Sequence, residues 1–123
     1  MASNVSFDDR GSYVRCRYVG PFALSALLQL TLTVREYCKE HGCERLLVDL
    51  RDSEGVLSTL ERYEHAVTMA RDRQLSVRIA IVVRPDQAYA DRFWETMTRN
   101  RGFLTHVTTD EAEARRWLET DEI

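Results

Sequence analysis

Two short apolar runs, Leu46-Leu47-Val48-Asp49-Leu50 and Ile79-Ala80-Ile81-Val82-Val83, most constrain what this chain can fold into. Runs this short and this continuous in apolar character read as strands covered on both faces. Between them, from about Ser58 to Asp72, lies a helix-length segment with Leu60, Tyr63, Ala66, Val67 and Ala70 at inward spacing. Strand, helix and strand in that order make a parallel pair joined by a crossover. The rest of the chain extends this unit. Val5-Ser6-Phe7-Asp8 alternates weakly, Asp9-Arg10-Gly11-Ser12 has turn composition, and the stretch from Tyr13 to Val19 alternates well. This predicts an antiparallel opening hairpin with Val14, Cys16 and Tyr18 on one face. Pro21 is expected at the first position of helix one, which runs to Gly42, a good residue just past a helix end. Asp86 is a candidate N-cap for helix three, which ends at Gly102. Leu104-Thr105-His106-Val107 reads as a last strand. Thr108-Thr109-Asp110-Glu111 offers a capping box for helix four, whose apolar stripe is Ala114, Trp117 and Leu118. The expected order is ββαβαβαβα, an α/β fold with one mixed, mostly parallel sheet of about five strands and four helices. Residues 1–123 are read as a single domain.

Composition narrows the function classes. A net charge of −3 with acids and bases interspersed argues against nucleic-acid binding, which wants a basic stripe. The three cysteines, Cys16, Cys38 and Cys43, have no framework spacing and are expected to be reduced thiols of a cytoplasmic protein. The N-terminus has neither the basic start nor the apolar run of a signal peptide. From Tyr18 to Val34 there is no charge, but Gly20-Pro21 interrupts the stretch, and Ser25, Gln29, Thr31 and Thr33 dilute it. A buried or partner-facing helix is expected there in place of a membrane span.

Ligands of parallel α/β sheets gather at the carboxyl ends of strands. The first candidate site is therefore the loop expected at the end of the Leu46–Leu50 strand, with Asp49, Asp52, Ser53 and Glu54. Carboxylates so close in sequence could hold a cation or work as acid and base. Asp52-Ser53-Glu54-Gly55 also has plain turn composition. Ser58 and Thr59 come next. A helix N-terminus favours a phosphate, whether carried by a serine or by a ligand, and Ser58 with Glu61 equally makes a capping box. Helix one carries one apolar face of Ala23, Ala26, Leu27, Leu30, Val34 and Tyr37. A second stripe, Leu24, Leu28 and Leu32, has no evident partner inside the domain, so it is a candidate interface or lid. Each buried leucine is worth ~2 kcal/mol, enough for the stripe to support a homodimer. Met69, Tyr89, Phe93, Trp94 and Met97 could line an apolar pocket or simply fill the core. Cys38, His41 and Cys43 fall short of the four ligands of structural zinc, so no metal or cofactor is expected. His65 is expected on a solvated face with Glu61, Arg62 and Asp72, and His106 could point into a core or cleft.

Taken in order, Leu47-Val48-Asp49-Leu50-Arg51, Ile79-Ala80-Ile81-Val82-Val83, Arg99-Asn100-Arg101-Gly102-Phe103 and the tail from Thr109 to Leu118 resemble the SpoIIAA-like branch of the STAS superfamily. The resemblance spans nearly the whole chain, and in general description that branch is also similar to CRAL-TRIO lipid carriers. It implies a regulatory binding module of the kind used in anti-sigma-factor switches. There a serine at the start of the second helix is phosphorylated by a partner kinase. That position falls on Ser58, with Val56-Leu57-Ser58-Thr59 standing where those members carry Asp-Ser-Ser-Gly. The expectation is a non-enzymatic binding or regulatory module, homodimeric through helix one. The alternative is a carrier or sensor of a small apolar ligand or lipid, touching a membrane surface through the leucine stripe. A third reading is an enzyme built on Asp49, Asp52 and Glu54.

Overall fold

The computed structural model describes residues 4–71, 78–87, 95 and 104–120. Five strands form one sheet in the spatial order β1-β2-β3-β4-β5: β1 Asn4–Asp9, β2 Val14–Pro21, β3 Arg45–Glu54, β4 Arg78–Val82 and β5 Thr105–Thr108. β1 pairs antiparallel with β2 as the expected hairpin, closed by Arg10 N–H on the Tyr13 carbonyl at 2.9 Å. Every other neighbouring pair is parallel. The described residues contain three α-helices: α1 Leu24–His41, α2 Thr59–Arg71 and α3 Glu111–Glu119. The helix expected between Asp86 and Gly102 falls almost entirely outside the described residues. Asp86 itself sits inside a short 3-10 turn, Pro85–Gln87.

Both faces of the sheet are covered, which is why its central strands are nearly all apolar. Strand residues alternate between the two faces. On one face Val14, Cys16 and Tyr18 of β2, Leu46, Val48 and Leu50 of β3, and Ile79 and Ile81 of β4 are buried. They pack with Leu27, Leu30, Val34 and Cys38 of α1 and Ala66 of α2. On the other face Leu47, Ala80 and Val82 pack with Tyr13 and with Ala114 and Leu118 of α3. The last helix therefore crosses to the face that the first two leave open. Asp110 caps it, accepting from Ala112 N–H at 2.9 Å.

Two boundaries differ from expectation. Pro21 ends β2 and does not start helix one. It stands opposite Glu54, and Phe22 N–H bonds to the Glu54 carbonyl at 2.6 Å. A proline without an N–H is tolerated at the last rung of a ladder. Helix α1 then starts at Leu24 behind Ala23, whose extended backbone carries no side-chain cap. The second difference follows from the first. Because β2 continues to Pro21, β3 has a partner as far as Glu54, and the loop expected at Asp52-Ser53-Glu54 is strand. The chain turns at Gly55 instead, where φ is 118° and a Cβ would lie 3.0 Å from the Phe22 carbonyl oxygen.

Candidate functional site

The carboxylates of β3 are engaged one by one. The Asp49 side chain is 3% exposed. Its Oδ1 accepts from Arg51 N–H at 3.0 Å and Arg51 Nε at 2.9 Å, and its Oδ2 from Arg15 Nη2 at 2.6 Å and Arg51 Nη2 at 2.8 Å. Glu111, at the start of α3, closes the group by binding Arg15 Nε at 3.0 Å and Arg51 Nη2 at 2.7 Å. Burial pushes the Asp49 carboxyl up, but the hydrogen bonds and charges of Arg51 and Arg15 outweigh it and hold Asp49 below its ordinary value. The Arg15 hydrogen bond does the same for Glu111. Asp52 pairs separately with Arg17 at 2.8 Å in the open, and Glu54 is exposed. Asp49, Asp52 and Glu54 thus form no shared carboxylate pocket. Asp49 is the centre of a four-membered ionic group that ties α3 to β2 and β3.

Arginines hydrogen-bond at the carboxyl end of the sheet. Arg84, just past β4, donates to the Ser53 carbonyl at 2.8 Å and the Gly55 carbonyl at 2.6 Å, with its guanidinium 5.7 Å from the centre of the Phe22 ring. Ser53 Oγ donates to the Leu50 carbonyl and is buried. Arg62 of α2 donates to the Leu57 carbonyl and, at 2.6 Å, to Gln87 Oε1. These guanidinium groups tie together the segments that follow β3 and β4.

Helix α2 buries Ala66 as its apolar spacing predicts, but it turns Leu60 and Tyr63 outward. Arg62 and His65 are buried, whereas Leu60 is 65% exposed and Tyr63 is 43% exposed. His65 Nε2 lies 3.1 Å from Thr31 Oγ1 and 3.4 Å from the Leu27 carbonyl, so its ring sits in the contact between α1 and α2. Burial lowers its pKa to about 4, which keeps it neutral at pH 7. The expected solvated face of Glu61, Arg62 and His65 is therefore largely an inner face. The buried Arg62 finds a carbonyl and an amide oxygen, and the Nε2 of the neutral His65 finds a hydroxyl.

At the start of α2 the capping box forms as expected. Ser58 N–H donates to Glu61 Oε1 at 2.9 Å, and Glu61 N–H donates to Ser58 Oγ at 3.1 Å. Ser58 and Thr59 are exposed, and so is Val56, at 68%. The leucine stripe of α1 is partly absorbed by the fold. Leu24 packs against the core, Leu28 is half-buried, and Leu32 is 45% exposed. The widest exposure of apolar side chains among the described residues lies instead at Val56, Leu60 and Tyr63. Of the pocket-lining candidates, Tyr89, Phe93, Trp94 and Met97 lie outside the described residues, as does the side chain of Met69.

His106 contacts Glu113 at 3.1 Å and Glu95 at 3.6 Å and stacks on Trp117 at 5.2 Å. Burial pushes the Cys16 thiol up to about 12, far from a reactive thiolate. Among the described residues no group of three or more His, Cys, Asp or Glu side chains is placed to hold a metal ion. No helix of the described residues is long and apolar enough to cross a membrane.

Arg15, Arg62 and Arg84 were not legible as structural ions. The one available signal was the alternation of Arg15 with Val14 and Cys16, which puts it on the face of the sheet that carries Asp49.

No family model matches the chain, and neither does any curated protein. Among solved structures it is similar to an uncharacterized protein of the DUF3478 family with a SpoIIAA-like fold from Shewanella loihica PV-4. The similarity has a TM-score of 0.59 at 18% sequence identity and covers 94% of this chain and 93% of that one. The element order, the five-stranded mixed sheet and this likeness agree: the chain has a SpoIIAA-like fold.

Proposed function

We propose that this protein is a non-enzymatic binding module that engages a protein partner through the start of α2. The observation that carries the reading is the exposure of Val56, Leu60 and Tyr63 around the capped Ser58. Leu60 and Tyr63 are three positions apart on one helix face, where side chains lie side by side. A cluster of large apolar side chains in the open marks a contact surface more often than a lone one does. Among the described residues, the nearby carboxylates without an arginine partner are Glu54 and Glu64, which are exposed, and Glu61, which is half-exposed, while Asp52 is paired with Arg17. A partner that fits presents apolar side chains bordered by lysine or arginine. Such a border disfavours a second copy of this chain in the same place, because acidic rims would face each other. A dimer through α1 has mainly Leu32 in the open to draw on, too little to offset association costs. The enzyme reading has little support, since Asp49 is wholly engaged by arginine.

The test is photo-crosslinking from position 60 in cells, followed by titration of the purified partner. The reading expects one heterologous protein, whose affinity falls roughly tenfold or more with Leu60→Asp and is nearly unchanged with Leu32→Asp. Self-crosslinking alone, or an affinity indifferent to Leu60→Asp, would overturn it.

A further inference from the structure

The opposite end of the sheet holds a feature that the binding surface does not use. A cavity of about 430 Å³ lies between the β1–β2 turn and the end of α1, lined by Asp9, Tyr13, Tyr37, His41, Cys43 and Arg45 among others. One wall is a column of rings: Phe7 stacks on Tyr37 at 3.9 Å, and Tyr37 stacks on His41 at 4.0 Å. Helix α1 ends beside it at Gly42, whose φ of 67° reverses the chain. The N–H groups of Gly42 and Cys43 both bond to the Cys38 carbonyl, at 2.8 and 3.2 Å. A helix end of this kind folds the residue after the glycine back onto the last turn, so that its side chain meets the one whose carbonyl it bonds. Here those two side chains are both thiols, and Cys43 packs against the buried cluster to which Cys38 belongs. Cys38 is buried at 6% exposure, while Cys43 is half-buried and opens on the cavity.

We propose that Cys43 is a peroxide-oxidisable thiol and that Cys38 resolves it as an intrachain disulfide across the end of α1. In the first step the Cys43 sulfur attacks one oxygen of hydrogen peroxide. The O–O bond breaks, the sulfur is oxidised to a sulfenic acid, and the second oxygen leaves as water with the thiol proton. In the second step the Cys38 sulfur attacks the Cys43 sulfur. The S–O bond breaks, and the hydroxyl leaves as water with the Cys38 proton. Peroxide is the oxidant, and the protein loses two hydrogens. Burial, with the neighbouring Cys43, pushes the Cys38 thiol up, so Cys38 is not the sulfur that meets peroxide first. Cys16 is fully buried in β2 and serves as an internal control.

The experiment treats the reduced, full-length protein with hydrogen peroxide near stoichiometry and maps disulfides by non-reducing peptide mass spectrometry. The expected result is a Cys38–Cys43 peptide at monomer mass, loss of two of the three titratable thiols, and recovery on reduction. Cys43→Ser should retain all its thiols, and Cys38→Ser should stop at a sulfenic acid captured by a cyclic diketone probe. The wild-type map needs no variant to fold. An interchain Cys43 disulfide, or a Cys43 that stays reduced while the protein is folded, would overturn the proposal.

Discussion

A carboxylate on a central strand must be neutralised where it stands, and Asp49 is the residue on which three elements converge. Removing its charge leaves Arg15 and Arg51 with only Glu111 to share, which is the costly way to break a buried ion group. Asp49→Asn is therefore expected to destabilise the fold by about 2–4 kcal/mol in urea unfolding. Asp52→Asn, which breaks an ion pair about half exposed on both sides, should cost less than ~1 kcal/mol. Equal losses would contradict the difference in burial. His65 makes a second prediction at this scale. Its folded pKa of about 4 lies below the ordinary value of 6.5. The unfolded chain therefore takes up the proton first as the pH falls, and stability present above pH 6.5 is lost between there and about pH 4. The carboxylates Asp49, Glu111 and Glu113 have depressed pKa values, and their stabilisation is lost only at lower pH still. Stability measured against pH should thus fall in two stages, and His65→Asn should flatten the upper one. Beyond the alternation that puts Arg15 on the face of Asp49, little of this was legible in the chain. Charges at Arg15, Asp49 and Glu111 are far apart in sequence, and nothing local says that they meet.

At the scale of elements, much more could be read. The hairpin, the parallel crossovers, the Gly42 helix end and the Ser58–Glu61 capping box are all encoded within a few residues, by turn chemistry and alternation. Ser58→Ala should cost about 1 kcal/mol by freeing one N–H at the start of α2, measured as a shift in the urea midpoint. No loss would mean that the capping box does not hold in solution. What misled was apolar spacing in α2. Leu60 and Tyr63 fit an inward stripe, but Arg62 and His65 take the inner positions because each finds oxygen partners there. The ends of β2 and β3 were misplaced for a related reason. Pro21 and Asp52-Ser53-Glu54 look like turn residues, yet pairing between the two strands holds them extended. Tertiary pairing overrides local composition in both cases.

For the molecule as a whole, the two-sided sheet leaves few places for function. Among the described residues, Arg62 and Arg84 hydrogen-bond at the carboxyl end of the sheet, and α3 packs on one face. Of the exposed large hydrophobic side chains among the described residues, most lie at the apolar start of α2. The central proposal is that the protein binds a partner there. The fold class was legible from the order of strands and helices, but the proposed contact surface was not, because the sequence assigns Leu60 and Tyr63 to the core. The most direct measurement is crosslinking from a photoreactive residue at position 60, compared in the same cells with one at Arg116, which is exposed on α3. The account predicts one heterologous protein captured at position 60 and absent at position 116, binding directly once purified and losing roughly tenfold or more in affinity with Leu60→Asp. Capture at both positions alike, or at neither, would contradict it.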